Sequence, residues 1–278
     1  MGLYVNSNVS ALNAYNNLSK TSNSLNDSLS KLSSGYRINK AADDAAGLSI
    51  SENLKSQIGG LSVATRNAQD GINVVQTADG ALSETTSILQ RMRDLAVQAS
   101  NGGSQDTNAQ SAANTEVSDL KTEVDRIAKT TQFGSQALLS GSYNGTFQVG
   151  VGGNYATSFD QINVSISAMD QGGLGISSIN LSTTAGALSA IATIDAALST
   201  VNSTRANLGA VQNRFQHTVN NLTTSAQNLT ASKAQITDTD MAQEMTNYSK
   251  ANILQQAGTA MLSHANSSNQ GILQLLQG

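Results

Sequence analysis

Apolar residues recur every seven positions over two long stretches of the chain, and each stretch predicts one long helix. The first runs from about residue 44 to 100 and the second from about 187 to 235. A step of seven keeps an apolar stripe on one side of a helix, as in coiled coils. The two stripes consist of Leu54, Leu61, Ala68, Val75, Leu82, Leu89 and Ala96, and of Ile194, Val201, Leu208, Phe215, Leu222, Leu229 and Ile236. At 1.5 Å per residue such helices are about 70 to 80 Å long, which predicts a rod.

A shorter helix is predicted between the two long ones, at about 105–129, where apolar residues alternate steps of four and three. Asn101-Gly102-Gly103 ends the first long helix, so the shorter helix folds back on it as a helical hairpin. The first long helix also contains Gly60, Gly71 and Gly80. Each costs about 1 kcal/mol relative to Ala, so we expect these glycines where helices approach closely.

Residues 131–186 change to Gly and Ser with short alternating apolar runs, which predicts a small β-hairpin region. The runs are Phe147, Val149 and Val151, and then Ile162, Val164 and Ile166. Glycines at 150, 152 and 153 are interpreted as turn residues, because no strand-GxGxxG-helix or Walker A context surrounds them. The fold class is therefore mainly α: an elongated coiled-coil or bundle rod with a small β-hairpin region between two helical arms.

Both ends of the chain carry an apolar stripe at helical spacing, and each predicts one amphipathic helix. Two thin helices paired only with each other bury too little apolar area to offset the entropy of ordering them. We therefore expect the tails to need copies of themselves. The predicted packing residues are Leu18, Leu25, Leu29 and Leu32 near the start, and Met245, Tyr248, Leu254, Met261, Leu262, Ile272 and Leu275 near the end.

These patterns divide the chain into three predicted parts. Residues 1–43 and 236–278 form the terminal helices. Residues 44–130 and 187–235 form the long-helix bundle. Residues 131–186 form the β region, which is too short to contain a further large domain.

The composition narrows the function classes. Of the 278 residues 12% are charged, the net charge is -4, and Pro, Cys and Trp are absent. No basic cluster predicts nucleic-acid binding, and no disulfide framework or thiolate metal site is possible. The first fifteen residues lack the basic start and unbroken apolar run of a cleavable signal, and no stretch was expected to span a membrane.

No residue pattern predicts catalysis, a cofactor or a metal site. His217 and His264 are the only histidines, and neither belongs to an H-E-x-x-H motif. Four aspartates at positions 43, 44, 238 and 240 flank predicted helix boundaries, where capping explains them better than acid and base chemistry. The sequence therefore predicts a protein that is not an enzyme.

Several long motifs resemble bacterial flagellins. They are SSGYRINKAADDAAGLSISENLKSQI, NAQDGINVVQTADGALSE, QRMRDLAVQAS and TQFGSQALLSG in the first arm, and LGAVQNRFQHTVNNL and NILQQAGTAMLSHAN in the second. The resemblance implies a flagellar filament subunit that is secreted unfolded through a type III channel, with an export chaperone, a filament cap and hook-junction proteins as partners. A hook-filament junction protein, which can share the arms, is the alternative.

The segment QRMRDLAVQAS carries the implied recognition surface. Within it Leu95 lies about 80° from the centre of the apolar stripe and one turn after Arg91, so we expect an apolar residue at the edge of a polar face. The resemblance implies that Arg91, Leu95 and Glu116 match a segment recognised by Toll-like receptor 5. We expect the primary role of these residues to be packing one subunit against its filament neighbour. Both roles can hold, because a receptor that reads an assembly surface sees it only in monomers.

Overall fold

The structure is a computed structural model that describes residues 8–103, 105–152 and 159–277, with side chains up to residue 268. The described residues form five helices: α1 (Val9–Ser34), α2 (Ala45–Ser100), α3 (Thr107–Thr130), α4 (Thr184–Thr237) and α5 (Met241–Gln277). The helices predicted at about 44–100, 105–129 and 187–235 are confirmed to within a few residues, and each tail contains one helix, as predicted. The 56 residues of α2 and the 54 of α4 make each helix about 80 Å long.

Two of the four boundary aspartates cap helices as predicted. The Asp44 carboxylate accepts a hydrogen bond from the Gly47 amide at the start of α2. The Asp240 carboxylate accepts from two amides in the first turn of α5, at 2.9 and 3.1 Å. Asp43 instead accepts from the amides of residues 39 and 40 in the preceding turn, which lowers the pKa of its carboxyl below the ordinary value. The Asp238 carboxylate accepts a hydrogen bond from the Thr237 hydroxyl and caps no helix. The prediction of capping is therefore wrong for Asp238.

The chain divides into two compact units, which we call the terminal unit (residues 1–56 and 228–278) and the central unit (57–227). The boundaries between the two units fall inside α2 and α4. A single apolar core fills the central unit, where residues of α2, α3, α4 and the strands share one buried cluster. In the terminal unit, α1 packs along α5.

The strands of the central unit form two antiparallel hairpins. Strands β1 (Gln132–Phe133) and β2 (Gln136–Ala137) make the first, and β3 (Ser140–Gln148) and β4 (Gln161–Ala168) make the second. Residues 162, 164 and 166 of β4 are buried while their neighbours are exposed, as the alternation predicted. Strand β3 begins earlier than the predicted run and ends before Val151, which lies outside the strand.

The prediction about glycines in α2 holds at one position and fails at another. A Cβ on Gly71 would lie 2.5 Å from Cζ of Phe215 on α4, so the Phe215 ring occupies the space that a side chain would need. That ring is fully buried and meets Phe147 edge-on, with centroids 5.4 Å apart. Nothing lies within 4 Å of a Cβ on Gly80, which faces away from the core. At Gly60 the close neighbour is Val151 of the hairpin loop rather than a helix.

Helix α4 corrects one expectation from the sequence. By length and composition alone it could cross a membrane. Helix α4 meets this criterion because it combines few charged residues with many small apolar ones. A core helix has the same composition, and Ile194, Ala197 and Val201 of α4 belong to the buried core.

Candidate assembly surfaces

The two tail helices meet through small side chains. Ser28 and Ala251 are the buried residues of the pair among the side chains that the structure describes, each 6% exposed. A Cβ on Gly258 of α5 would lie 3.1 Å from Leu18, so the helices approach closely there. The Asn8 side chain donates to the Ala265 carbonyl at 2.9 Å and joins the two helices near the start of α1. The seam is therefore narrow.

Large apolar side chains such as Leu18 are half-buried along the seam, but nine others on the described parts of the two helices remain exposed. Their exposed fractions run from 48% to 67%. The most exposed are Val9, Leu12, Tyr15 and Leu29 on α1, and Met241, Met245, Ile253, Leu254 and Met261 on α5. Single exposed apolar residues are ordinary, but so many on one pair of helices mark a surface for a partner.

Most of the predicted packing residues are found on this surface or at its edge. Leu29, Met245, Leu254 and Met261 are exposed. The half-buried members of the set are Leu18, Leu25, Leu32, Tyr248 and Leu262. The side chains of Ile272 and Leu275 lie outside the described residues.

A backbone clamp joins the two segments next to the tail helices. The Arg37 amide donates to the Thr237 carbonyl at 2.7 Å, and the Thr239 amide donates to the Gly35 carbonyl at 3.0 Å. The Arg37 guanidinium also donates to the Ile236 carbonyl at 2.6 Å, in the last turn of α4. The guanidinium therefore satisfies a carbonyl that the end of the helix leaves open.

Arg91 and Glu116 lie together on the surface of the central unit. Their ion pair joins α2 to α3, with Arg91 Nη2 2.7 Å from Glu116 Oε1. Their side chains remain 55% and 43% exposed, so both groups stay accessible to a partner. The structure thus brings together the two charged residues of the implied recognition surface.

Leu95 does not lie on that surface in the isolated chain. It is only 4% exposed, so the prediction of an apolar residue at the edge of a polar face is wrong for the isolated chain. At about 100° per residue, Arg91 and Arg93 bound an arc of about 200° around α2, and every buried residue of this segment falls inside it. Arg91 pairs with α3 and Arg93 pairs with α4, so neighbouring helices cover both sides of the arc.

Two further ion pairs join α2 to α4, and sequence reasoning missed them. Arg93 Nε lies 2.7 Å from Asp195 Oδ1, and Arg205 Nε lies 2.8 Å from Asp79 Oδ1. Hydrogen bonds to the carboxylates raise the pKa of both guanidinium groups above the ordinary value. The partners are more than a hundred residues apart, so no local spacing connects them.

Helix α3 also holds the irregular segment between β4 and α4 in place. The Asn114 side chain accepts from the Leu181 amide at 2.8 Å. Lys121 donates to two carbonyls of the segment, at 3.3 and 3.2 Å. The Asp125 carboxylate accepts from the amide and the side chain of Gln171, and the amide hydrogen bond is the main reason that its pKa is lowered. These contacts order a segment that has no regular structure of its own.

No group of three or more His, Asp or Glu side chains within the described residues is arranged to hold a metal ion. One cavity of the central unit has a volume of about 720 Å³ and is open to solvent. It lies between α2, α4 and the loop end of the second hairpin, and His217 and Arg214 line it. The other histidine, His264, lies exposed on α5. The features of the described residues that a protein partner can contact are therefore the exposed surfaces of the two units.

Comparison with known proteins covers both helical arms. Residues 5–144 match the family model of the bacterial flagellin N-terminal helical region, and residues 191–276 match that of the C-terminal helical region. A flagellin from Halalkalibacterium halodurans is 44% identical over 280 residues, which span 99% of this chain and 100% of that protein. The crystal structure of Bacillus cereus flagellin superposes with a TM-score of 0.50 at 32% identity, over 60% of this chain and 94% of that one.

A putative flagellar hook-associated protein from Vibrio parahaemolyticus superposes with a TM-score of 0.59, over 70% of this chain and 100% of that one. At 14% identity this match shows a shared fold alone.

Proposed function

The chain belongs to the bacterial flagellin family and is a subunit of the extracellular flagellar filament, and we propose that its tail helices α1 and α5 drive the polymerisation. Flagellins are structural proteins, and they assemble with copies of themselves. The partner for the exposed apolar surface of the tails is then the same surface on neighbouring subunits. The observation that carries this proposal is the narrow seam between the two helices, which leaves nine of their large apolar side chains exposed.

The exposed apolar area of the tail helices is large enough to contribute substantially to the free energy of assembly. Nine apolar side chains of the tail pair are about half to two-thirds exposed. Full burial of such a side chain contributes about 1.5 to 3 kcal/mol, so burying the exposed part of all nine contributes on the order of 10 kcal/mol. That gain is offset in part by the freedom each subunit loses on joining the polymer.

Within the filament, the three predicted parts take different positions. Residues 1–43 and 236–278 form the inner tube. Residues 44–130 and 187–235 form the surrounding layer of long helices, with the β region of 131–186 attached to it. The length of α2 and α4 and the apolar surface of α1 and α5 support this arrangement.

The pair of Arg91 and Glu116 contacts a neighbouring subunit, and Leu95 acts from beneath it by holding α2 in place. Toll-like receptor 5 is a second partner for the same surface, which it would read on the monomer. The exposure of both charged side chains supports either partner, because each can exchange its present contact for a new one. Arg91→Ala weakens polymerisation if the surface is an assembly contact, and polymerisation at the wild-type rate would remove that role.

The subunit reaches the filament by secretion, unfolded, through the flagellar type III channel. An export chaperone covers the C-terminal tail, and a filament cap and hook-junction proteins meet the subunit at its destination. The absence of Pro and Cys supports this route, since no proline isomerisation or disulfide pairing slows refolding outside the cell. Nothing in the comparisons favours the hook-filament junction alternative.

The proposal is tested with purified monomer and short filament seeds. Leu29→Ser, Leu254→Ser and Met261→Ser each remove an exposed apolar side chain, and together they are expected to raise the monomer concentration needed for growth more than tenfold. Gln256→Ser is the matched control on the exposed surface of α5 and leaves growth unchanged. Equal growth of the triple variant and the control would contradict the proposal.

A further inference from the structure

All the sulfur of this chain is in methionine, because the six methionines are accompanied by no cysteine. The five methionines within the described residues fall into two classes. Met92 and Met169 are buried in the central unit, with 0% and 1% exposed. Met241, Met245 and Met261 lie on α5 and are 48%, 50% and 63% exposed. The sulfur atoms that a solute can reach are thus concentrated on one tail helix.

Exposed thioethers react with peroxides, and buried ones react slowly. The methionine sulfur attacks one oxygen of the peroxide, the O–O bond breaks, and the displaced hydroxide takes the remaining proton and leaves as water. The sulfur is oxidised by two electrons and the peroxide is reduced by two. The product is a sulfoxide, which is polar and accepts hydrogen bonds where the thioether was apolar.

We propose that Met241, Met245 and Met261 are oxidation sites of the free subunit, and that their conversion to sulfoxides by a peroxide blocks addition of the subunit to the filament. This inference rests on the proposed role of α5 in polymerisation. Burial of a sulfoxide without a hydrogen-bond donor is unfavourable, and of the nine exposed apolar side chains of the tail pair Tyr15 alone carries a donor. Three sulfoxides on one helix therefore oppose the burial that drives assembly.

Assembly and oxidation then exclude each other. Once a subunit is in the filament, its α5 side chains are covered by neighbours and a peroxide no longer reaches them. The same methionines are reactive in the monomer and protected in the polymer. Met92 and Met169 are protected in both states and serve as internal references within each sample.

The experiment treats purified full-length monomer, and separately preformed filaments, with hydrogen peroxide, and measures sulfoxide at each methionine by peptide mass spectrometry. In the monomer the three methionines of α5 are expected to oxidise at least tenfold faster than the two buried ones. In filaments their rate should fall to that of the buried pair. Equal rates at all five positions in the monomer, or unchanged rates on assembly, would overturn the proposal.

Seeded growth then tests the consequence. Oxidised monomer is expected to need at least about tenfold more protein for growth than untreated monomer, and treatment with methionine sulfoxide reductases restores growth. The variant with Met241→Leu, Met245→Leu and Met261→Leu keeps its growth after peroxide. Because reductase rescue uses the natural chain, the test still decides if the variant assembles poorly.

The two proposals fail in distinguishable ways. Oxidised wild-type monomer that grows normally overturns the oxidation proposal and leaves tail-driven polymerisation intact. Untreated variants that lack exposed apolar tail residues and still grow overturn the polymerisation proposal itself.

Discussion

Replacing Gly71 with Ala tests the packing between α2 and α4 at one defined contact. A Cβ at this position would lie 2.5, 2.7 and 2.9 Å from three carbons of the Phe215 ring. Carbon atoms in ordinary contact are about 3.5 to 4.0 Å apart, so the ring must retreat by about 1 Å. Phe147 also contacts that ring edge-on, with 5.4 Å between centroids, and restricts its movement.

Two effects of opposite sign determine the result. Ala in place of Gly stabilises a helix interior by about 1 kcal/mol. Overpacking a filled core destabilises by about 1 to 3 kcal/mol. Gly80→Ala in the same helix shows the first effect alone, because nothing lies within 4 Å of its Cβ. We therefore expect Gly80→Ala to be the more stable variant by about 1 to 3 kcal/mol, the overpacking contribution.

The assay is urea unfolding of the full-length monomer followed by circular dichroism of the helices, with both variants beside the wild type. Both sites lie in the central unit, so they report on the same transition. Adding Phe215→Leu should remove most of the penalty in the Gly71→Ala variant, which a double-mutant cycle measures. Equal stability of the two glycine variants would refute the reasoning.

Three further predictions concern polar contacts. Asp125→Asn lowers the free energy of unfolding at pH 7. Because folding lowers the pKa of Asp125, the difference in unfolding free energy between variant and wild type should shrink as the pH falls below about 4. A difference that stays constant with pH would contradict this. The coupling of Arg91 to Glu116 in unfolding should stay below about 1 kcal/mol, since both are exposed, and a larger value in a double-mutant cycle would show a structural role. Asp240→Ala removes the cap of α5 and should cost about 1 kcal/mol of helix stability, measured by circular dichroism; unchanged helicity would exclude capping.

The long helices were predictable because their signal is local and repeated. A step of seven in the sequence needs no knowledge of the partner, and the stripe through Leu82 and Leu89 is buried as expected. The helices of the tails were predictable for the same reason. Their need for a partner was predictable because two paired helices with many small and polar side chains bury little apolar area against each other.

Leu95 and the contacts of α3 show where this reasoning stops. The seven-residue stripe places Leu95 at the edge of the apolar side of α2. Whether a residue at that edge is buried depends on how much of the α2 surface α3 and α4 cover, and the sequence of α2 does not show this. Asn114 and Asp125 look like ordinary surface residues of α3. Each nevertheless accepts a hydrogen bond from a distant backbone amide, 67 residues away for Asn114 and 46 for Asp125. Hydrogen bonds to an irregular segment leave no period in the sequence.

Glycines illustrate the same limit from the other side. Gly71 and Gly80 are nine positions apart in one helix, so at about 100° per residue they lie on opposite sides of it, and Gly71 alone of the two falls on the side of the apolar stripe. The sequence does not show that the Phe215 ring of α4 fills the space beside Gly71.

The central claim is that the tails drive polymerisation, and seeded growth of a truncated chain tests it most directly. Full-length monomer and a variant lacking residues 1–32 and 241–278 are incubated with short filament fragments and viewed by negative-stain electron microscopy. Long filaments are expected from the full-length protein and none from the truncated one. Filaments of normal length from the truncated chain would contradict a role of the tails in polymerisation.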